Sequence, residues 1–111
     1  MNDTLDESLL TELQDVMEDD FGVLLETYLT ESVAQFERVR EDRANGDTEA
    51  LRRSAHSLKG SCANVGAVRS AALCQNIESS AAAGQLDGLD DVLLNLSSEL
   101  DQVRQLLKAR L

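Results

Sequence analysis

The sequence contains no proline and no tryptophan, and its aromatic residues are only Phe21, Tyr28 and Phe36. Strands draw on aromatic and β-branched side chains, so this composition is poor material for a sheet. The absence of proline also leaves long helices uninterrupted, and leucine and alanine have to make most of the core. Cysteine is scarce. Cys62 and Cys74 stand on apolar helical positions and form no C-x-x-C pair, a pattern of buried reduced thiols and not of a disulfide or a metal site. There is one histidine, His56. With two core thiols it cannot supply a convergent set of zinc ligands, so no metal site is expected. No glycine-rich G-x-x-x-x-G-K-S/T loop is present, which leaves the chain without an evident means of using ATP. No apolar run approaches bilayer length and none resembles a signal sequence; a cytoplasmic location without membrane partners is the expectation. Positive charge is sparse too. Ten Lys and Arg face 21 Asp and Glu, for a formal charge of −11. That balance disfavours nucleic acid and anionic lipid as partners, and its plain meaning is solubility.

What is present reads as helix from end to end. A chain of 111 residues suffices for one domain over 1–111. Its 42% hydrophobic and 28% charged content is ordinary for a globular protein. Met1 to Asp3 are expected to be loose. Thr4-x-x-Glu7 has the form of a capping box. It opens a first helix over roughly 5–17 whose apolar face is Leu5, Leu9, Leu10, Leu13 and Met17. The acids Glu18, Asp19 and Asp20 mark a break or the dipole-favoured first turn of the next helix. A second helix over roughly 20–44 carries Phe21, Leu24, Leu25, Tyr28, Leu29, Phe36 and Val39 at helical spacing. Asn45-Gly46 ends it and Asp47 caps the third, over roughly 48–65. Gly66 makes a short turn into a fourth helix over roughly 67–83, with Leu73, Cys74, Ile77 and Ala81 inward. Gly84 stops that helix. A fifth, over roughly 89–109, has the stripe Val92, Leu93, Leu96, Leu100, Val103, Leu106 and Leu107. Short connections make neighbouring helices antiparallel. The expected fold is all-α: an antiparallel up-down four-helix bundle with a short N-terminal helix capping one end.

The stretch from Leu51 to Gly66 holds the histidine. Leu51, Ala55, Leu58, Cys62 and Val65 recur at steps of four and three, one face of a helix. At about 100° per residue His56 lies well off that stripe, on the solvent side. Its neighbours one turn away are Arg52, Arg53, Lys59 and Gly60, with Ala63 two turns on. Gly60 in a helix interior costs about 1 kcal/mol relative to alanine, which is most easily retained where something approaches the backbone. An imidazole in its neutral form is a nucleophile, and once it carries a phosphoryl group the ammonium of Lys59 is a partner for the phosphate oxygens. The local chemistry suits reversible phosphorylation of His56.

His56-x-x-Lys59-Gly60, followed by five residues and Gly66, resembles the signature of histidine-containing phosphotransfer (HPt) domains. The run Leu73-Cys74-Gln75-Asn76-Ile77-Glu78 resembles the next helix of that family. The likeness covers nearly the whole chain and is close to stand-alone bacterial members. It implies a four-helix bundle that carries phosphate between receiver-domain aspartates, as a phosphorelay intermediate of two-component signalling. The family's phosphorylated histidine falls on His56, its phosphate-supporting lysine on Lys59, its close-approach glycine on Gly60 and its turn glycine on Gly66. A glutamine or glutamate of the next helix often stands near the histidine in relatives, and Glu78 has that place. The implied partners are receiver domains of hybrid histidine kinases and of response regulators, which bring the Mg²⁺; the chain needs no cofactor of its own and acts as a monomer.

Arg52, Arg53, Ala63, Ala67 and Glu78 are candidate partner-facing residues. The arginines lie where an acidic receiver pocket would meet them, and Ala63, Ala67 and Ala71 keep a surface flat for docking or are simply good helix formers. Two other readings stay open. One is a non-catalytic helical adaptor that binds a receiver or kinase domain without being phosphorylated. The other is a histidine kinase dimerisation domain, which would lack its ATP-binding module here.

Overall fold

The structure, a computed structural model, describes residues 4–111. The expectation for Met1 to Asp3 lies outside the described residues. Five helices follow one another: α1 (Glu7–Met17), α2 (Asp20–Ala44), α3 (Thr48–Asn64), α4 (Val68–Ala82) and α5 (Leu89–Lys108). Helices α2 to α5 form the bundle and α1 rests on α2 at one end. No helix among the described residues is long and apolar enough to cross a membrane.

The apolar stripes meet in one cluster. Leu10 of α1, Leu25 and Val39 of α2, Leu51, Ala55, Leu58 and Cys62 of α3, Cys74 and Ile77 of α4, and Leu96, Val103 and Leu107 of α5 are all fully buried. A buried leucine is worth about 1.5–3 kcal/mol relative to an exposed one, so these stripes fix each helix's rotation about its axis. α3 is the most enclosed helix, packed against α2 on one side and α4 on the other. Its fully buried residues Leu51, Ala55, Leu58 and Cys62 hold its rotation and therefore aim His56 outward. Cys62 and Cys74 are free thiols inside the cluster. The Tyr28 hydroxyl lies 3.7 Å from Cys62 Sγ. Burial, and then the Cys62 thiol beside it, push the Tyr28 phenol above its ordinary range.

Two details of the helix pattern differ from the sequence reading. The cap of α1 is Asp6, whose carboxylate accepts from the Leu9 N–H at 3.1 Å, and not Thr4. The cause is tertiary: the Asp6 N–H donates to the Gly66 carbonyl at 2.8 Å, which ties the segment to the α3–α4 turn and sets where the helix begins. Thr4 is buried instead, its hydroxyl 3.4 Å from Gln102 Oε1 on α5. In α5, Leu106 is 37% exposed, because the stripe Leu96, Leu100, Val103, Leu107 leaves residue 106 about 100° out of line. Glu99 takes an inward place, paired with Arg69 of α4 at 3.1 Å.

The turns position the site. The break between α1 and α2 falls at Glu18, with φ +52°, and Asp20 enters the first turn of α2. Asp47 caps α3 through the Ala50 N–H at 3.0 Å. Gly66 has φ +73°, and a Cβ there would stand 3.3 Å from both the Cβ and the carbonyl oxygen of Asp6. Glycine is required twice over at this turn, by conformation and by the chain laid across it. The tight reversal it permits sets the register of α4 along α3.

Candidate functional site

His56 stands on the outer face of α3 with 64% of its side chain exposed. Across the helix pair, Glu78 of α4 places Oε2 3.1 Å from His56 Nδ1. The other oxygen of the same carboxylate, Oε1, forms an ion pair with Lys59 Nζ at 2.8 Å. Lys59 Nζ also donates to Gln75 Oε1 at 2.8 Å, and Gln75 Nε2 donates in turn to Ser79 Oγ at 2.9 Å. Lys59 follows His56 by three residues on α3, and Gln75, Glu78 and Ser79 share one face of α4 at steps of three and four. The four polar side chains Lys59, Gln75, Glu78 and Ser79 thus form a chain of contacts that ends on the imidazole.

The Glu78 side chain is half-buried, with 17% exposed. The Lys59 ammonium, against some desolvation and with help from His56, holds its carboxyl below the ordinary carboxylate range. Glu78 is therefore a carboxylate at neutral pH, and an acceptor only. The imidazole nitrogen facing it carries the proton, an assignment that follows from the hydrogen-bond pattern. Nε2, the ring's other nitrogen, is not the atom engaged by Glu78. The geometry delivers an exposed imidazole oriented through Nδ1.

Beside it the surface is open. Gly60 is exposed, and a Cβ built there would meet no atom within 4 Å. Nothing inside the fold requires glycine at this position. Ala63 is exposed one turn further on.

The remaining sequence candidates separate. Arg52 is held by Glu49 one turn earlier on α3, at 2.6 Å, and Arg53 reaches the same carboxylate at 3.6 Å. Arg52 draws the Glu49 carboxyl down in pKa, ahead of the smaller effect of Arg53. Arg53 also lines a groove between α2 and α3 with Gln35, Arg38, Ser54 and Ser57. Ala67 is a correction: it is fully buried, its N–H donating to the Cys62 carbonyl at 2.9 Å, and it offers no docking surface. The even step from Ala63 to Ala67 crosses the Gly66 turn, where helical spacing no longer keeps residues on one face. Glu78, expected to face a partner, has both oxygens engaged by His56 and Lys59 and belongs to the site itself. Sequence reasoning missed Gln75 and Ser79. The only signal was their place at steps of three before and one after Glu78, on the face opposite Cys74 and Ile77.

Comparison with known proteins agrees with this fold. The model of the Hpt domain family matches residues 23–106. The crystal structure of histidine-containing phosphotransfer protein B (HptB) from Pseudomonas aeruginosa is similar at 37% identity and a TM-score of 0.93, over 96% of this chain and 93% of that one. The HPT domain of a sensor hybrid histidine kinase from Shewanella shares the fold, with 22% identity and a TM-score of 0.79 over 96% of this chain and 92% of that one. No curated protein sequence matches.

Proposed function

Because the chain belongs to the Hpt domain family, we propose that it is a phosphorelay intermediate of two-component signalling in which His56 is the phosphoryl carrier. The observation that carries this reading is the exposed imidazole whose Nδ1 is engaged by Glu78 at 3.1 Å. It leaves Nε2 as the attacking atom.

A receiver domain bearing phosphoaspartate docks on the His56 face, over the open space at Gly60. Nε2 attacks phosphorus in line; the Nε2–P bond forms as the P–O bond to aspartate breaks, and the aspartate leaves as a carboxylate. The ring keeps its Nδ1 proton and becomes positive, and the Glu78 carboxylate faces that charge. The receiver's Mg²⁺ neutralises most of the phosphoryl charge, as is usual in such transfers. The reverse step hands the group to another receiver, of a hybrid histidine kinase or of a response regulator. No nucleotide enters at any stage. The chain works as a monomer in the cytoplasm, and gel filtration checks the first point by a mass near 12.1 kDa.

Incubation with a panel of labelled receiver domains tests the reading. Label should move from at least one receiver to this protein and on to a second. Tight binding without any transfer would mean an adaptor instead.

Lys59 supports the phosphoryl group from outside the receiver's own charges. A charge-assisted contact of this kind is worth about 1.5–3 kcal/mol. Felt mainly in the transition state, that is roughly ten- to a hundredfold in rate. Lys59→Ala is therefore expected to slow transfer by that factor without abolishing it, as rapid-quench measurement of label transfer would record. An unchanged rate would leave Lys59 as a surface ion pair only.

A further inference from the structure

The contacts of Lys59 raise a question about where its ammonium is when phosphate arrives. The bonds that leave Nδ1 and Nε2 diverge widely around the imidazole ring. Nδ1 faces Glu78, so a phosphoryl group on Nε2 leaves the ring on a different course from the Glu78 contact. Lys59 Nζ is held there by two contacts, each at 2.8 Å, to Glu78 Oε1 and Gln75 Oε1. Its side chain is only 26% exposed. Two of its three N–H donors are spent on those acceptors, so a phosphoryl group on Nε2 has to draw the ammonium against them.

Gln75 is oriented for this task. Its Nε2 donates to Ser79 Oγ at 2.9 Å, which turns the amide oxygen towards the ammonium. The reverse orientation would set its N–H groups against the cation. Gln75 itself is exposed. A solvated surface residue would have no reason to be anchored at both ends of its amide.

We propose that Gln75 is a positioning residue that, with Glu78, parks the Lys59 ammonium away from Nε2, so that a phosphoryl group on His56 has to compete for it. The inference rests on the reading of His56 as the phosphorylated residue. Its consequence is thermodynamic. A phosphoryl group carries about −1.5 to −2 charge and would bind a free ammonium strongly. Parking reduces that stabilisation, since only the difference between the two sets of contacts is gained. Phosphohistidine is thereby kept from becoming a trap, and the group stays transferable in both directions. Weakening the parking site should make His56 hold phosphate more firmly; strengthening it should do the opposite.

The test uses the whole protein and no receiver. Phosphoramidate, a small N–P donor, loads His56 with release of ammonia. The loaded protein is then equilibrated with free imidazole, which accepts the group as phosphoimidazole, and ³¹P NMR reads the partition. Gln75→Met keeps the length of the side chain and removes the acceptor. It should retain about three- to tenfold more label on His56 at the same imidazole concentration, the net worth of one ordinary exposed hydrogen bond. Gln75→Glu should shift the partition the other way. In a Lys59→Ala background the Gln75 forms should be indistinguishable. Equal partition for wild type and Gln75→Met overturns the proposal, and so does a shift that persists without Lys59. Loading at a residue other than His56 would instead overturn the phosphorelay reading itself, and it is read separately by whether His56→Gln still takes label.

Discussion

His56→Gln should accept no phosphoryl group from any receiver, while its helix content and melting temperature stay close to those of the wild type. Loss of transfer is complete because His56 is the only imidazole in the chain, and the neighbouring nitrogen, Lys59 Nζ, is an ammonium paired with Glu78 that has no lone pair to attack with. The thiols are no substitute, since Cys62 and Cys74 are buried. The Cys62 thiol and burial also push Cys74 far above an ordinary thiol pKa, away from the reactive thiolate. Stability is preserved for a separate reason. The side chain is 64% exposed, and its one polar contact among the described residues is with a carboxylate that Lys59 continues to satisfy. Surface replacements of this kind stay within about 0.5 kcal/mol. The chemistry of the wild-type label is a second check. A phosphoramidate is labile in acid and stable in alkali, the reverse of a phosphoserine. Acid-stable label on the wild type, or undiminished labelling of the variant, would overturn the role given to His56.

The helices and the histidine were legible in the sequence because both follow from periodicity. Burial repeats every 3.6 residues, so the stripe Leu51, Ala55, Leu58, Cys62 determined which side of α3 is wet, and His56 had to be on it. Turn chemistry was equally local: Asp47 caps α3 with its own carboxylate three residues along. What was not legible depended on residues distant in the chain. The start of α1 is set by the Gly66 carbonyl, sixty residues after Asp6. Ala67 looked like a neighbour of Ala63 until the turn between them was placed, and Glu99 lies inward because Arg69 of another helix meets it. The contacts of Gln75 arise only once α3 and α4 are in register. Glu78 was visible as a neighbour of the histidine by resemblance, yet not as the group that engages His56 and Lys59 with separate oxygens.

Gly60 and Gly66 illustrate two different demands on the same residue type, and this separates their substitutions. At Gly66 the fold itself demands glycine, through φ +73° and the Asp6 backbone 3.3 Å from any Cβ. At Gly60 the helix is regular and the space around the missing Cβ is empty. Inside the molecule, glycine at position 60 is only a liability of about 1 kcal/mol in helix propensity relative to alanine. Gly60→Gln is therefore expected to hold or slightly raise the melting temperature, since glutamine is a good helix former. Transfer should nonetheless fall steeply. Residue 60 is one turn from His56 on the same face, and a side chain there fills the space through which a receiver brings its aspartate to Nε2. In-line transfer needs reacting atoms about 3–3.5 Å apart, and a misplacement of about 1 Å can cost a hundredfold. A loss of at least that size in label transfer, with an unchanged or higher melting temperature, is the expected result. Transfer at the wild-type rate would mean that no partner approaches the backbone here. Equal losses of transfer and stability would mean that Gly60 serves the fold, as Gly66 does.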